Sequence, residues 1–171
     1  MGCIILSKQP LVSVLMTAYN RQEYIGEAIE SVLASSYIDF ERIIVDDQSH
    51  DNTLQVANSY AAKDSRIKIY RNNRNLGDYL NRNKAASYSS GKYLKYLDSD
   101  DLIYPHGLEA MVYAMEKFPQ AGLGLPYQKI EDEQPYPYLV DSESAYKEFF
   151  LRGNFMLTGP TGAIIKKSLF E

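Results

Sequence analysis

Short runs rich in apolar residues alternate along the chain with stretches of helical periodicity. The short runs have strand length and occupy residues 11–17, 42–45, 67–70 and 93–97. Between them, apolar residues recur every three or four positions, as on one face of a helix. Such stripes predict helices over 25–33, 54–60, 75–90 and 108–115, and a last helix over 141–151. Strands that alternate with helices predict an α/β fold, with a doubly wound, mostly parallel sheet and helices on both faces.

The ends of the predicted helices carry local signals. Asn20 followed by Glu23 has the spacing of a capping box at the start of the first helix. Asp51 precedes the second helix and is expected to cap its first turn. Gly91 is expected at the carboxyl end of the third helix, where glycine is a common terminator.

Polar clusters follow three of the predicted strands, at residues 17–20, 46–51 and 98–101. The carboxyl ends of parallel strands share one edge of a sheet, and ligands bind beyond that edge. The last cluster, Asp98-Ser99-Asp100-Asp101, places three carboxylates within four residues, and a cation would relieve their repulsion. Mg²⁺ and Mn²⁺ suit carboxylate oxygens and are often shared with substrate phosphates. On spacing alone, a solvated turn that caps the next helix remains the alternative.

Composition narrows the class of protein. The 171 residues are 45% hydrophobic and 23% charged, which is typical of one globular domain. A net charge of -4 without a run of Lys or Arg argues against nucleic acid as a partner. Cys3 is the single cysteine, so neither an internal disulfide nor a cysteine zinc cluster is expected. With no apolar segment of membrane-spanning length, we predict a soluble, cytoplasmic protein, and peripheral association with the inner face of the membrane stays open.

Four segments, in this order, resemble the family 2 glycosyltransferases, which have the GT-A fold. They are VSVLMTAYNRQEYIGEAIESVL, ERIIVDDQSHDNT, NRNLGDYLNRNKAA and GKYLKYLDSDD, and the resemblance covers residues 11 to about 120. It implies transfer of a sugar from a nucleoside diphosphate-sugar, usually a UDP-sugar, in polysaccharide or glycan biosynthesis. A divalent metal, Mn²⁺ or Mg²⁺, is implied as the bridge to the diphosphate. The acceptor, whether glycan, lipid-linked or protein, stays open.

The resemblance also assigns residues to the nucleoside. Thr17, Ala18 and Tyr19 are expected to contact it, with Tyr19 lying against the base, although a packing role for this tyrosine is the alternative. Asp47, or else its neighbour Asp46, is expected to accept a hydrogen bond from the imide N–H of the base.

Further donor and metal contacts are implied by the N-x-G, R-N and D-x-D elements. Arg82 is expected to contact a phosphate or the ribose, and an ion pair with one of the aspartates is the alternative. Asp100 is expected to be the central acid, contacting metal or ribose. The residues implied in donor binding are Asn75, Gly77, Arg82, Asp98 and Asp100, and those implied in metal binding are Asp100, Asp98 and Asp101.

The resemblance implies an inverting, in-line displacement in which a carboxylate base takes the proton of the acceptor hydroxyl. Family members place this base after segments like residues 158–167, so we expect it beyond Glu171, whereas the acids at 131–133 resemble solvated surface. We therefore expect an N-terminal tail over 1–10, a nucleotide-sugar-binding core over 11–121 and a truncated acceptor-side region over 122–171. The alternatives are a non-catalytic nucleotide-sugar-binding fragment and a sugar-phosphate nucleotidyltransferase. The second needs a glycine-rich loop that TAYNRQEY lacks.

Overall fold

A computed structural model describes residues 9–126, 137–152 and 159–170, without the side chains of 148–152. The strands are β1 Val12–Ala18, β2 Phe40–Asp46, β3 Ile67–Arg71, β4 Tyr93–Tyr96, β5 Leu123–Gly124 and β6 Ile164–Lys166. The α-helices are α1 Ile25–Leu33, α2 Thr53–Ala61, α3 Asp78–Ser87, α4 Gly107–Lys117 and α5 Ser142–Arg152. Single 3-10 turns lie at Pro160–Gly162 and Lys167–Leu169. No helix in this described part is long and apolar enough to cross a membrane.

The strands form one sheet in the order β3-β2-β1-β4-β6-β5. Strands β3, β2, β1 and β4 are parallel to one another, whereas β6 runs antiparallel to both β4 and β5. The chain steps outward from β1 to β3 and then returns to the other side of β1 with β4. The order therefore reverses between β1 and β4, which is the position where sheets of this kind bind ligands beyond the carboxyl ends of the strands.

Both faces of the sheet are covered by helices. On one face, Val14, Met16 and Ile44 pack in a core with residues of α1, α2 and α4 such as Ile29 and Leu108. On the other face, a smaller core joins strand residues to α3; its buried members are Leu15, Ile43, Val45, Ala85, Ala86, Leu94 and Tyr96. Full burial of one large aliphatic side chain contributes about 1.5–3 kcal/mol. The predicted α/β architecture, mostly parallel with two helical layers, is confirmed.

The predicted capping box is wrong. Helix α1 begins at Ile25, and the residue before it makes no side-chain cap. Asn20 instead has a left-handed backbone with φ 53°, and it is tied to the loop after β2. Its N–H donates to Ser49 Oγ at 3.0 Å, and its Oδ1 accepts the His50 N–H at 2.9 Å. The polar residues after β1 therefore join two strand ends rather than start a helix.

Asp51 has partners on both sides of its loop. Its Oδ1 accepts the N–H of Thr53, the first residue of α2, at 2.9 Å. Its Oδ2 accepts the Gln22 N–H at 3.1 Å. Asn52 is the cap residue of α2 and makes no side-chain cap bond. Asp51 thus satisfies one N–H at the start of α2, close to the predicted role, and also holds the loop after β1.

Gly91 is not a helix terminator, because α3 already ends at Ser87. It lies where the chain crosses β1: its N–H donates to Ser13 Oγ at 2.8 Å. A Cβ at this position would lie 2.6 Å from the backbone nitrogen of Ser13. Glycine is needed here for close approach of two backbones.

The region after Gly122 was expected only as the start of an acceptor-side segment. Within it, β6 adds to the edge of β4 with Leu94 opposite Ile165, and β5 adds to β6. Because β6 is antiparallel to β4, Thr161 lies next to the carboxyl end of β4, whereas Lys167 lies next to its amino end. Cys3, the acids at 131–133 and Glu171 lie outside the described residues.

Candidate functional site

The loops after β1 and β2 are joined at the carboxyl edge of the sheet. The Asp47 N–H donates to the Ala18 carbonyl at 2.8 Å, which extends the pairing of the two strands by one bond. Thr17 is half-buried and Ala18 is buried, so both belong to the floor of this edge. Tyr19 comes next and is 41% exposed, with the ring of His50 edge-on at 6.3 Å between centroids. One face of an aromatic ring is thus available at the switch point.

Asp47 is buried, and its carboxylate is engaged within the protein. It accepts hydrogen bonds from Asn72 Nδ2 at 2.7 Å and from the backbone N–H groups of Leu76 and Gly77, both at 2.9 Å. A carboxylate has about four acceptor positions, and these bonds use most of them. Asp47 therefore shapes the loop that precedes α3. Its contact with a base remains a prediction, and it would require one of these bonds to be shared or given up.

Asp46, the alternative to Asp47, also has internal partners. It is buried at the end of β2, where it forms an ion pair with Arg71 Nε at 3.2 Å. It also accepts the Ser49 N–H at 3.2 Å. Arg71 in turn donates to the Ser49 carbonyl at 3.1 Å. The acidic pair after β2 thus braces the loops that follow β2 and β3.

The N-x-G element forms a tight loop before α3. Asn75 Nδ2 donates to the Asp47 carbonyl at 3.2 Å, and Asn75 Oδ1 accepts the Gly77 N–H at 3.1 Å. Gly77 has φ 78°, a left-handed conformation that favours glycine. Apart from its chain neighbours, no atom of the described residues lies within 4 Å of where its Cβ would be. Among these residues, the space beside the start of α3 is therefore open.

Arg82 lies between two carboxylates. Its Nε contacts Asp78 Oδ1 at 2.8 Å, and its terminal nitrogen contacts Asp98 Oδ1 at 2.8 Å. Its side chain is 17% exposed and lies over the ring of Tyr96 at 5.8 Å. Burial alone would lower the pKa of Arg82, but Asp98 and Asp78 together raise it. The alternative expected from the sequence, an ion pair with an aspartate, is therefore present, and it fixes α3 to the acidic loop.

The three carboxylates of the acidic loop have three different partners. Asp98 pairs with Arg82, and Asp100 Oδ2 lies 3.4 Å from Arg21 Nε. Asp101 Oδ2 accepts the hydroxyl of Thr161 at 2.5 Å. Thr161 in turn accepts the Asp98 N–H at 3.2 Å, so the second half of the chain contacts this loop.

These carboxylates fit a hard divalent cation by their chemistry, because they supply oxygen ligands only. In residues 9–126, 137–152 and 159–170, however, no three acidic, His or Cys side chains converge on one point. The side chain of Asp100 is 47% exposed, whereas that of Asp98 is 28% exposed. A cation would bind here after the ion pairs had rearranged.

A buried lysine lies beneath the acidic loop. Lys95, in β4, is fully buried, and its Nζ donates to the Tyr96 carbonyl at 2.9 Å. Burial lowers its pKa to about 8, although the negative charges of Asp98 and Asp101 oppose that shift. A lysine therefore lies beneath the acidic loop, at a position in β4 that the sequence pattern did not identify as part of the site.

Sequence reasoning missed Arg21, Lys95 and Thr161. Arg21 follows a strand end directly after Asn20, so its position at the ligand-binding edge was a usable signal. Thr161 had no such signal, because its contact with Asp101 depends on β6 pairing with β4.

A doubly wound sheet with an aromatic ring and an acidic loop at its switch point is the arrangement of a nucleotide-binding α/β domain. Residues 13–171 match the model of glycosyl transferase family 2, and the chain belongs to that family. The glycosyltransferase MJ1057 of Methanocaldococcus jannaschii, whose function is uncharacterized, is 42% identical over 110 residues, which cover 63% of this chain and 38% of that protein. WfgD of Escherichia coli, named a UDP-Glc:alpha-D-GlcNAc-diphosphoundecaprenol beta-1,3-glucosyltransferase, is 38% identical over 107 residues, or 63% of this chain and 42% of WfgD.

Solved structures share the fold. S. aureus TarS 1-349 in complex with UDP has a TM-score of 0.72 at 27% identity, covering 92% of this chain and 47% of that one. The mannosyltransferase PcManGT from Pyrobaculum calidifontis, in complex with GDP-Man and Mn²⁺, has a TM-score of 0.60 at 20% identity, covering 68% and 35%. The chain thus spans less than half the length of these relatives.

Proposed function

We propose that this chain forms the donor-binding part of a glycosyltransferase that uses a UDP-sugar. The observation that carries the proposal is the meeting of the loops after β1 and β4 at the switch point, where Arg21 of one reaches Asp100 of the other at 3.4 Å. Structures of TarS have been solved in complex with UDP (27% identity to this chain) and with UDP-GlcNAc (25% identity). WfgD is named as an enzyme that uses UDP-Glc. These likenesses favour a uridine nucleotide as donor and a glycan-assembly role.

In this proposal the nucleoside lies over the end of β1. The exposed ring of Tyr19 stacks on the base, and Thr17 and Ala18 form the floor beneath it. Aromatic stacking on a base contributes about 1–3 kcal/mol. Asp47 holds the loop with Asn75 and Gly77 in place, so that the backbone of this loop lines the other side of the nucleotide.

The diphosphate lies over the acidic loop. A divalent cation, Mn²⁺ or Mg²⁺, would be held by Asp100, with Asp98 and Asp101 as further oxygen ligands. When bound, it would neutralise the charge that develops on the departing nucleoside diphosphate. Arg82 keeps Asp98 in position from the α3 side. Transfer with inversion is part of the proposal.

Calorimetry with UDP and UDP-GlcNAc, each with Mn²⁺ and with EDTA, tests the proposal. We expect binding that Mn²⁺ strengthens, and Asp100→Ala should remove the metal-dependent part while the circular dichroism spectrum stays unchanged. Asp64→Ala is the matched control, because Asp64 also pairs with an arginine, Arg66, but lies before β3 at the opposite edge of the sheet. Absence of UDP binding under both conditions would refute the proposed function.

A further inference from the structure

Two arginines contact the acidic loop, and they are held very differently. Arg82 is mostly buried and has two carboxylate partners, Asp78 and Asp98, both at 2.8 Å. The side chain of Arg21 is 42% exposed, and its carboxylate partner among the described residues is Asp100, which is 47% exposed and lies 3.4 Å away. An exposed ion pair at this distance is weak, since solvent screens it on all sides. Arg82 is therefore fixed, whereas Arg21 is able to change partner.

The backbone that carries Arg21 is rigid. Its N–H donates to Thr53 Oγ1 at 2.7 Å, and its carbonyl accepts the Ile25 N–H at 2.9 Å. The preceding residue, Asn20, is held by the loop after β2. Among the described residues, the guanidinium donates to two backbone carbonyls besides its contact with Asp100, those of Tyr19 at 3.3 Å and Asn20 at 3.2 Å. A partly exposed guanidinium on a hydrogen-bonded backbone thus contacts both the carbonyl of Tyr19 and the acidic loop.

The partners of this guanidinium are two neutral carbonyls and the carboxylate of Asp100 at 3.4 Å, so its N–H groups are only weakly hydrogen-bonded. A diphosphate offers several charged oxygens, and arginine binds phosphate oxygens by two parallel hydrogen bonds. A diphosphate attached to a base on Tyr19 would enter the same space between the two loops. It would therefore be a stronger partner for Arg21 than Asp100 is.

We propose that Arg21 exchanges partners when the donor binds, leaving Asp100 to contact a phosphate of the nucleoside diphosphate. This rests on the proposed function and assigns Arg21 as a donor-binding residue. In the ligand-free protein, Arg21 competes with a divalent cation for Asp100. Binding of the diphosphate removes that competition, so the nucleotide and the cation strengthen each other's binding by the same factor.

Arg21→Gln separates the two roles, because they respond in opposite directions. Mn²⁺ alone, titrated by the electron paramagnetic resonance signal of the free ion, should bind two- to fivefold more tightly to the variant, since its competitor is gone. UDP alone, titrated calorimetrically in EDTA, should bind about tenfold more weakly, since a charged phosphate contact is lost. Arg21→Lys keeps the charge without the planar fork, so its Mn²⁺ affinity should match the wild type and its UDP affinity should be intermediate.

Arg66→Gln is the matched control. It removes an arginine of a half-buried ion pair far from the acidic loop, with Asp64 at 2.7 Å, and should leave both affinities unchanged. The exchange is overturned if Arg21→Gln leaves either affinity unchanged or shifts both in the same direction. If the wild-type chain binds no UDP with or without Mn²⁺, the proposed function fails and the exchange fails with it. If the wild-type chain binds UDP and Arg21→Gln binds it equally well, the partner exchange is refuted and the proposed function stands.

Discussion

Glu41 offers a quantitative test of how the sheet is held together at its amino edge, opposite the candidate site. Its carboxylate is buried and accepts four short hydrogen bonds. Three reach Oε1, from Ser13 Oγ at 2.6 Å and from the N–H and hydroxyl of Ser90 at 2.6 and 2.7 Å. The fourth comes from Lys68 Nζ to Oε2 at 2.6 Å. One side chain in β2 thus connects β1, β3 and the segment before β4.

These bonds have a consequence for stability that depends on pH. Burial alone would raise the pKa of Glu41, but the bonds from Lys68, Ser13 and Ser90 outweigh it and lower the pKa to about 2 from an ordinary 4.5. A carboxyl group with a lowered pKa in the folded state stabilises the fold above pH 4.5, and that contribution is lost as the pH falls from 4.5 through 2. At about 1.4 kcal/mol per pKa unit, the contribution at pH 7 is about 3 kcal/mol.

Glu41→Gln keeps the shape of the side chain and removes its charge. We expect the free energy of unfolding, measured by urea denaturation with circular dichroism, to fall by about 3 kcal/mol at pH 7. The difference from wild type should shrink towards pH 3, because the wild-type carboxyl loses its advantage there. Glu143→Gln is the control, since the carboxylate of Glu143 is exposed and pairs with the exposed Lys147. A loss of the same size at pH 7 and pH 3, or one no larger than that of the control, would contradict this reasoning.

Three further predictions concern single side chains. Gly91→Ala should lower the free energy of unfolding by about 2 kcal/mol, because the added Cβ would lie 2.6 Å from a backbone nitrogen. Gly159→Ala should change it little, because a Cβ added there would meet no atom of the described residues within 4 Å, its chain neighbours apart. Lys95→Met should raise stability at pH 7 by about 1–3 kcal/mol. The pKa of Lys95 is lowered to about 8, so wild-type stability should rise as the pH increases from 8 towards 10, and an equal rise in the methionine variant would count against this assignment. Tyr19→Ala should weaken UDP binding about tenfold both with Mn²⁺ and with EDTA in calorimetry, whereas Tyr113→Ala, an exposed tyrosine on α4, should have no effect.

The parts of the fold that could be predicted are those whose burial pattern is local. The strands β1 and β2 and the helices α1 and α4 have an apolar period that burial itself imposes, so pattern and structure agree within a few residues. Strands β5 and β6 have two and three residues, too few for a period. They form because the unpaired edge of β4 can hydrogen-bond to a later segment of the chain. Which segment pairs there depends on the tertiary fold and cannot be predicted from the local sequence.

The site shows the same division. The sequence places Tyr19 and the acidic loop at strand ends, and parallel pairing then brings them to one edge. Which atoms pair there depends on chain segments far apart in sequence. Asp47 was expected to face the base, yet its oxygens are engaged by Asn72 and by the loop before α3. Most of its acceptor positions are used by groups that only the tertiary fold supplies, and its contact with a base stays a prediction.

The negative charge that gathers at the carboxyl edge is matched there by arginines from different elements. Arg71 pairs with Asp46, Arg82 with Asp98 and Arg21 with Asp100, so each of these carboxylates already has a cation beside it. The first two aspartates are largely withdrawn from solvent, at 1% and 28% exposure, whereas both partners of the third pair are exposed. An ion pair whose two partners are both exposed is screened by solvent and costs little free energy to open, so we expect the phosphates of the proposed donor to displace the third pair first. In this chain that pair lies between the ends of β1 and β4, at the same switch point that the strand order defines.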